Sequence, residues 1–138
     1  MKRTIIILSV LIICFGHYAF AMQPSIMGGI RGGLALGLAA DQAINKNFNL
    51  RYGAELNTSK EGLILFAENK FLIRKLENRY PFYFGLGLVG YFGKDSSAGV
   101  SLSAIIERAF NIPELFFEGG VDVVSGGGKI QLQAGYKI

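Results

Sequence analysis

The sequence predicts an all-β protein, an up-and-down antiparallel transmembrane β-barrel, and three observations lead to this fold class. Segments of about ten residues alternate between apolar and polar positions, and short polar breaks separate them. Residues 48–57 show the alternation without exception, since Phe48, Leu50 and Leu56 share one face while Arg51 and Glu55 lie on the other. The remaining two observations are the N-terminal leader and the unlike chemistry of the two strand faces.

The N-terminus has the order of residues that is typical of a secretory signal peptide. Two basic residues at 2–3 precede an apolar run over 5–15, and small residues follow at 19 and 21. We therefore predict a signal peptide over residues 1–21, cleaved after Ala21, and a β-barrel domain over residues 22–138. An uncleaved membrane anchor is the alternative, because the stretch from Thr4 to Met22 is nearly long enough to span a bilayer.

Removal of the leader would change the chemistry that is available to the chain. The only cysteine, Cys14, and the only histidine, His17, both leave with it, so the mature chain can form no disulfide and lacks the usual general bases. The net charge of +4 falls to about +2 once Lys2 and Arg3 are lost. Because no basic cluster accompanies this small excess, we expect no nucleic-acid partner.

The alternating runs indicate strands joined by hairpins, and seven can be recognised. Single-chain bacterial membrane barrels have an even number of strands, so we predict eight. The eighth is either a short strand within residues 60–80 or one whose pattern is not recognisable. The run over 62–73 is the least regular, and a short helix is the alternative there. The seven runs cover residues 26–40, 48–57, 62–73, 80–92, 98–107, 115–123 and 129–138.

The two faces of the strands differ in a way that predicts which one points inward. One face carries bulky Phe, Leu, Ile and Val, whereas the other carries most of the strand glycines and equal numbers of cations and anions. Small residues suit the crowded interior of a narrow barrel, and an enclosed charge needs a partner. We therefore predict a charge network in the lumen formed by Arg31, Arg51, Glu55, Glu68, Lys70, Glu107, Glu118, Asp122, Lys129 and Lys137.

Within this network, Glu118 and Asp122 are expected to pair with Lys129 and Lys137, or with Arg31, across the lumen. Aromatic residues near the strand ends favour a membrane barrel, although they are common in any strand. These aromatic residues are Phe48, Tyr80, Phe82, Phe92, Phe110 and Tyr136.

Catalysis has little support in the sequence. Ser101, Ser103 and Glu107 share the inward face of one strand, but alternate residues on a strand lie ~7 Å apart, which puts Ser101 out of direct reach of Glu107. A serine beside a carboxylate is a weak nucleophile without a better base, so we expect interior hydrogen bonding. We predict no enzymatic activity, no cofactor and no metal site, since Glu118 and Asp122 are too far apart to chelate without help from other strands.

At the level of pattern, the chain resembles the small outer-membrane β-barrels of Gram-negative bacteria, with the OmpA/OmpX-like superfamily as the nearest comparison. The segment 110–118 also looks like hairpins of such barrels. The last strand of the family usually ends in an aromatic residue, whereas here Tyr136 is third from the end and Ile138 is last, so this signal is present only in degraded form. The resemblance implies export to the outer membrane, the lipid bilayer and the outer-membrane assembly machinery as partners, and a monomeric state.

The function predicted from these observations is that of a small integral outer-membrane protein with a structural or interaction role. The polar breaks are short, which leaves little chain for adhesive loops. The alternatives are a narrow pore or a barrel that binds an amphiphile, including a soluble lipocalin-like protein of the periplasm.

Overall fold

A computed structural model of the chain describes residues 5–7, 9 and 22–138. It contains a closed barrel of eight antiparallel strands in sequence order, which confirms the predicted fold class and strand number. The barrel closes because the first strand pairs with the last, Ile26 opposite Tyr136 and Ile30 opposite Leu132. The strands are β1 (Met22–Arg31), β2 (Leu34–Asn45), β3 (Phe48–Asn57), β4 (Leu63–Leu76), β5 (Tyr80–Phe92), β6 (Ser97–Glu107), β7 (Leu115–Val124) and β8 (Gly127–Lys137).

The predicted signal peptide, residues 1–21, lies outside the described residues except for 5–7 and 9. Among the described residues, no helix has both the length and the apolar character needed to cross a membrane.

The strand missing from the sequence prediction lies in the first alternating run and not between residues 60 and 80. Residues 26–40 contain parts of both β1 and β2, which are joined by a tight turn at Gly32 and Gly33. Gly32 has a φ of 69°, a conformation that glycine adopts at little cost. Ile30 lies opposite Leu34, so even-numbered residues stay on the outer face of both strands. The alternation of outward and inward positions therefore continues through the turn, so the turn cannot be recognised from the alternation.

Residues 63–76 form a strand, so the helix considered for this part of the chain is wrong. The strands β4 and β5 are the longest of the barrel, with 14 and 13 residues. Their paired ends, Leu76 opposite Tyr80, extend past the last pair that joins β3 to β4, Phe48 opposite Phe71. A protruding β4–β5 hairpin therefore stands at one rim of the barrel.

The two rims of the barrel are named here by the chain ends. The terminal rim carries Met22 and Lys137 together with the connections 46–47, 77–79 and 108–114. The opposite rim carries the connections 32–33, 58–62, 93–96 and 125–126. All seven connections are short, which agrees with the lengths of the polar breaks in the sequence.

Glycines in the lumen make room for bulky side chains from facing strands. A Cβ added to Gly53 would lie 2.7 Å from the ring of Phe66, and one added to Gly135 would collide with the ring of Phe116. Phe66 and Phe116 are both buried, and they belong to an apolar cluster inside the barrel. Small residues therefore let large ones fill the narrow lumen.

The outer face of the barrel carries the exposed apolar side chains. Leu34, Leu88 and Ile130 are 65%, 70% and 72% exposed, whereas Arg31 and Asp122 are fully buried in the lumen. A water-soluble protein has the reverse arrangement, with charges outside and large apolar groups inside.

Aromatic side chains on the outer face concentrate at the terminal rim. Phe48, Phe71 and Phe84 lie opposite one another on three consecutive strands, and the rings of Phe48 and Phe71 are 5.2 Å apart. Farther around the same rim, Phe110 packs edge-on against Phe117 at 5.9 Å. The terminal rim thus carries an aromatic girdle along several neighbouring strands.

Candidate functional site: the charge network of the lumen

All ten residues of the predicted network point into the barrel, and strand alternation explains why. Each lies on the face opposite the exposed apolar residues of its own strand, so closure of the barrel brings the inward positions of six strands together. Lys129 and Lys137 lie near the two rims and are partly exposed. The other eight are buried: Arg31, Arg51, Glu55, Glu68, Lys70, Glu107, Glu118 and Asp122.

Arg31 of β1 forms the centre of the first cluster. Its Nε donates to Asp122 Oδ2 at 2.8 Å, and its guanidinium also donates to Glu55 Oε1 at 3.1 Å and to Ser101 Oγ at 3.3 Å. Asp122 accepts a further hydrogen bond from the hydroxyl of Tyr91. This guanidinium therefore connects β1 to β3, β6 and β7 across the lumen.

Arg51 of β3 forms the centre of the second cluster. Its guanidinium donates to Glu68 Oε1 at 3.1 Å and to Glu118 Oε2, and it lies 3.6 Å from Asp41 Oδ1. The rings of Phe66 and Phe116 flank it, with centroids 5.7 and 5.1 Å from its Cζ. Charge pairing and cation–π contacts thus hold the same guanidinium.

Two glutamines join these clusters into one network. Gln131 donates to Glu118 Oε1 at 2.6 Å and to Gln133 Oε1 at 3.2 Å. Gln133 in turn donates to Glu55 Oε2 at 2.8 Å. The carboxylates that bind Arg31 and Arg51 are therefore linked through neighbouring side chains of β8.

A third cluster closes the lumen toward the terminal rim. Lys70 Nζ donates to Asp41 Oδ2 at 2.7 Å and to Glu107 Oε1 at 2.8 Å. Lys137 Nζ lies 2.9 Å from the same oxygen of Glu107, and the ring of Tyr83 lies 4.7 Å from Lys70 Nζ. Glu107 is thus neutralised by two ammonium groups.

At the opposite rim, Lys129 and Glu61 form the outermost pair. Their N and O atoms are 2.8 Å apart, and Lys129 Nζ lies 4.2 Å from the centre of the Tyr91 ring. This pair covers the Arg31 cluster from that side, so charged or aromatic groups fill the lumen from this rim to the pair of Lys70 and Glu107.

The pairing expected for two of the acids is wrong in part. Asp122 does pair with Arg31, but Glu118 pairs with Arg51, while Lys129 and Lys137 bind Glu61 and Glu107. The predicted balance of charge also changes, because Asp41 and Glu61 join the network and carboxylates then outnumber cations.

The network also contains residues that were not predicted from the sequence. Asp41 follows the predicted run 26–40, but β2 continues to Asn45, and its alternation turns Asp41 inward. Glu61 lies on the 58–62 connection, where no strand pattern determines its direction. Gln131 and Gln133 lie on the inward face of β8, but they carry no charge that would indicate a place in the network.

The geometry gives no support to a serine nucleophile. Ser101 accepts from Arg31, Glu107 is bound by two lysines, and Ser103 Oγ has no hydrogen-bond partner among the described residues. Within the part of the chain that the structure describes, no three His, Cys, Asp or Glu side chains are placed to hold a metal ion. The arrangement binds side chains to one another across the lumen.

Comparison of the chain with protein-family models, with curated proteins and with solved structures gave no match.

Proposed function

We propose that the protein is a small, monomeric integral protein of a Gram-negative outer membrane, with a structural or interaction role and no catalytic activity. The observation that carries the proposal is the inverted distribution of side chains. Exposed leucines, isoleucines and phenylalanines surround the outside of the barrel, while arginines and acids are buried within it. Only an apolar solvent makes this arrangement favourable, and a bilayer provides one.

The dimensions of the strands fit this environment. A ten-residue strand that rises ~3.4 Å per residue and tilts by ~40° covers ~26 Å along the barrel axis, close to the ~25 Å apolar band of membrane barrels. The strands β1, β3 and β7 have ten residues each. The aromatic girdle at the terminal rim fits the position of a membrane–water interface.

The filled lumen supports a structural or interaction role over transport. An eight-stranded barrel has an interior just wide enough for its own side chains, and here ion pairs link strands on opposite sides of it. Passage of a solute would require several buried pairs to separate at once, which is costly.

Export and assembly belong to the same proposal. The predicted signal peptide would direct the chain out of the cytoplasm. On β8, Tyr136 points outward and is half exposed, as an aromatic signal for the assembly machinery would need to be. Replacement of Tyr136 by alanine should slow the appearance of folded barrel in cells.

Membrane fractionation combined with gel mobility tests the proposal. We expect the protein in the outer-membrane fraction, extractable only with detergent, and we expect its migration on a denaturing gel to change after boiling. A lipocalin-like protein would appear in the soluble fraction without detergent and would not show the change in migration, which would refute the proposal.

A further inference from the structure

A cavity of about 740 Å³ opens at the terminal rim, and its base is formed by the outermost residues of the charge network, Glu107 and Lys137. The protruding β4–β5 hairpin, the 108–114 connection and the 46–47 turn surround it. Five cations line it, together with only two carboxylates, Glu107 and Glu114. The five cations are Lys46, Lys75, Arg79, Arg108 and Lys137.

We call this cavity the vestibule, and the positive charge of its lining is largely uncompensated. Glu107 is already bound by Lys70 and Lys137, so it does not neutralise the other cations. Among residues 22–138, the structure contains no ion pair that involves Lys46, Lys75, Arg79 or Arg108. Four cations around one cavity repel each other, and a bound anion would relieve that repulsion.

The walls of the vestibule are held by local backbone structure. Arg108 has a φ of 54°, and Phe110 and Asn111 have φ values of 53° and 60°, which turn the 108–114 connection sharply. The hydroxyl of Tyr80, on the protruding hairpin, lies 3.3 Å from Asn111 Oδ1. This contact joins the two walls that carry Arg79 and Arg108.

The vestibule is closed at its base. Tyr83, Glu107 and Lys137 line it, and the first two meet Lys70, whose bonds to Asp41 and Glu107 close the lumen below. A ligand that enters from the terminal rim therefore docks there and does not continue through the barrel.

We propose that the vestibule is a binding site for a phosphate-bearing ligand. Its volume lies within the ~300–1,000 Å³ range of small-molecule sites. The guanidinium groups of Arg79 and Arg108 can each donate two parallel hydrogen bonds to phosphate oxygens, and the lysines add point charges. The outer aromatic girdle lies at the same rim, so the phosphate can come from a lipid headgroup or from a soluble phosphate ester.

Calorimetric titration of the whole protein tests this proposal. The protein is held in a non-ionic detergent that carries no phosphate, and it is titrated separately with pyrophosphate and with short-chain phosphatidylglycerol. The variant Arg79→Gln/Arg108→Gln removes two vestibule cations. The control Lys60→Gln/Lys94→Gln removes two cations from connections at the opposite rim, and both variants are first checked for heat-dependent gel mobility.

We expect binding to weaken about tenfold or more in Arg79→Gln/Arg108→Gln and to stay unchanged in the control, since each lost hydrogen bond to a charged group weakens affinity strongly. Binding of pyrophosphate alone would identify a soluble phosphate ester, and binding of phosphatidylglycerol alone a lipid headgroup. If neither ligand binds, or if both variants lose affinity equally, the proposal is wrong. Should the first variant fail to fold, Lys75→Gln/Arg79→Gln on the protruding hairpin serves in its place.

Discussion

Replacement of Arg51 by alanine tests whether the charges in the lumen are enclosed and paired. The Arg51 side chain is 1% exposed, and its guanidinium binds Glu68 and Glu118 and lies near Asp41. The substitution leaves these carboxylates facing each other in a space that the structure fills with side chains. Removal of one partner from a buried ion pair costs about 3–5 kcal/mol, so we expect a loss of that size in the free energy of unfolding.

Urea titration of the barrel in lipid vesicles measures this loss. The chain contains no tryptophan, so the folded fraction is best followed by gel mobility or circular dichroism. Lys94→Ala is the matched control, because it removes the same charge from an exposed residue of the 93–96 connection. A urea midpoint that shifts equally in both variants would mean that Arg51 is solvated, and the enclosed network would be refuted.

A compensated variant separates charge from packing. In Arg51→Met/Glu68→Gln/Glu118→Gln, the cation and the two acids that contact it lose their charges together. Replacement of both partners of a buried ion pair lowers the free energy of unfolding far less than removal of one partner. We therefore expect the triple variant to be more stable than Arg51→Met alone, and the reverse order would contradict the pairing that the structure shows.

Three further predictions concern lumen packing, lipid contact and conductance. Gly135→Ala should lower the yield of folded barrel because its Cβ would collide with Phe116, whereas Gly126→Ala, with open space around it, should fold normally on the gel-mobility assay. Residues 22–138 contain no cysteine, so Leu88→Cys in vesicles should resist a water-soluble maleimide while Lys94→Cys reacts. Equal labelling would place Leu88 in water. The unmodified protein should give no discrete conductance steps in a planar bilayer, and regular steps would show that the ion pairs leave a continuous water path.

The fold was largely predictable from the sequence because strand alternation has a period of two, and one face of every strand meets a different environment. Residues 48–57 illustrate this, since the predicted and observed limits of β3 agree. The β1–β2 turn could not be recognised from alternation, because Ile30 and Leu34 have the same parity on either side of it. The adjacent glycines at 32 and 33 were the available signal for this turn.

The partners within the lumen were less predictable than the lumen residues themselves. Alternation determines that a side chain points inward, but which inward side chains meet depends on strand register and on the stagger of the barrel. Glu118 pairs with Arg51, 67 positions away in the sequence, and no local pattern encodes that contact. Glu61 reaches Lys129 from a connection, where the period of two no longer applies.

The two rims differ in a way that indicates where an interaction role would reside. At the opposite rim, Lys129 pairs with Glu61 and lies over the ring of Tyr91, so these side chains cover the lumen there. At the terminal rim the network ends at Lys70, Glu107 and Lys137, and the four cations beyond them form no ion pair among residues 22–138. A charged side chain that is already paired gains little from an external partner, whereas an unpaired cation gains both a neutralising charge and hydrogen bonds. Because the lumen is filled and the outer wall suits lipid, the terminal rim is the part of the barrel best suited to recognise a polar ligand.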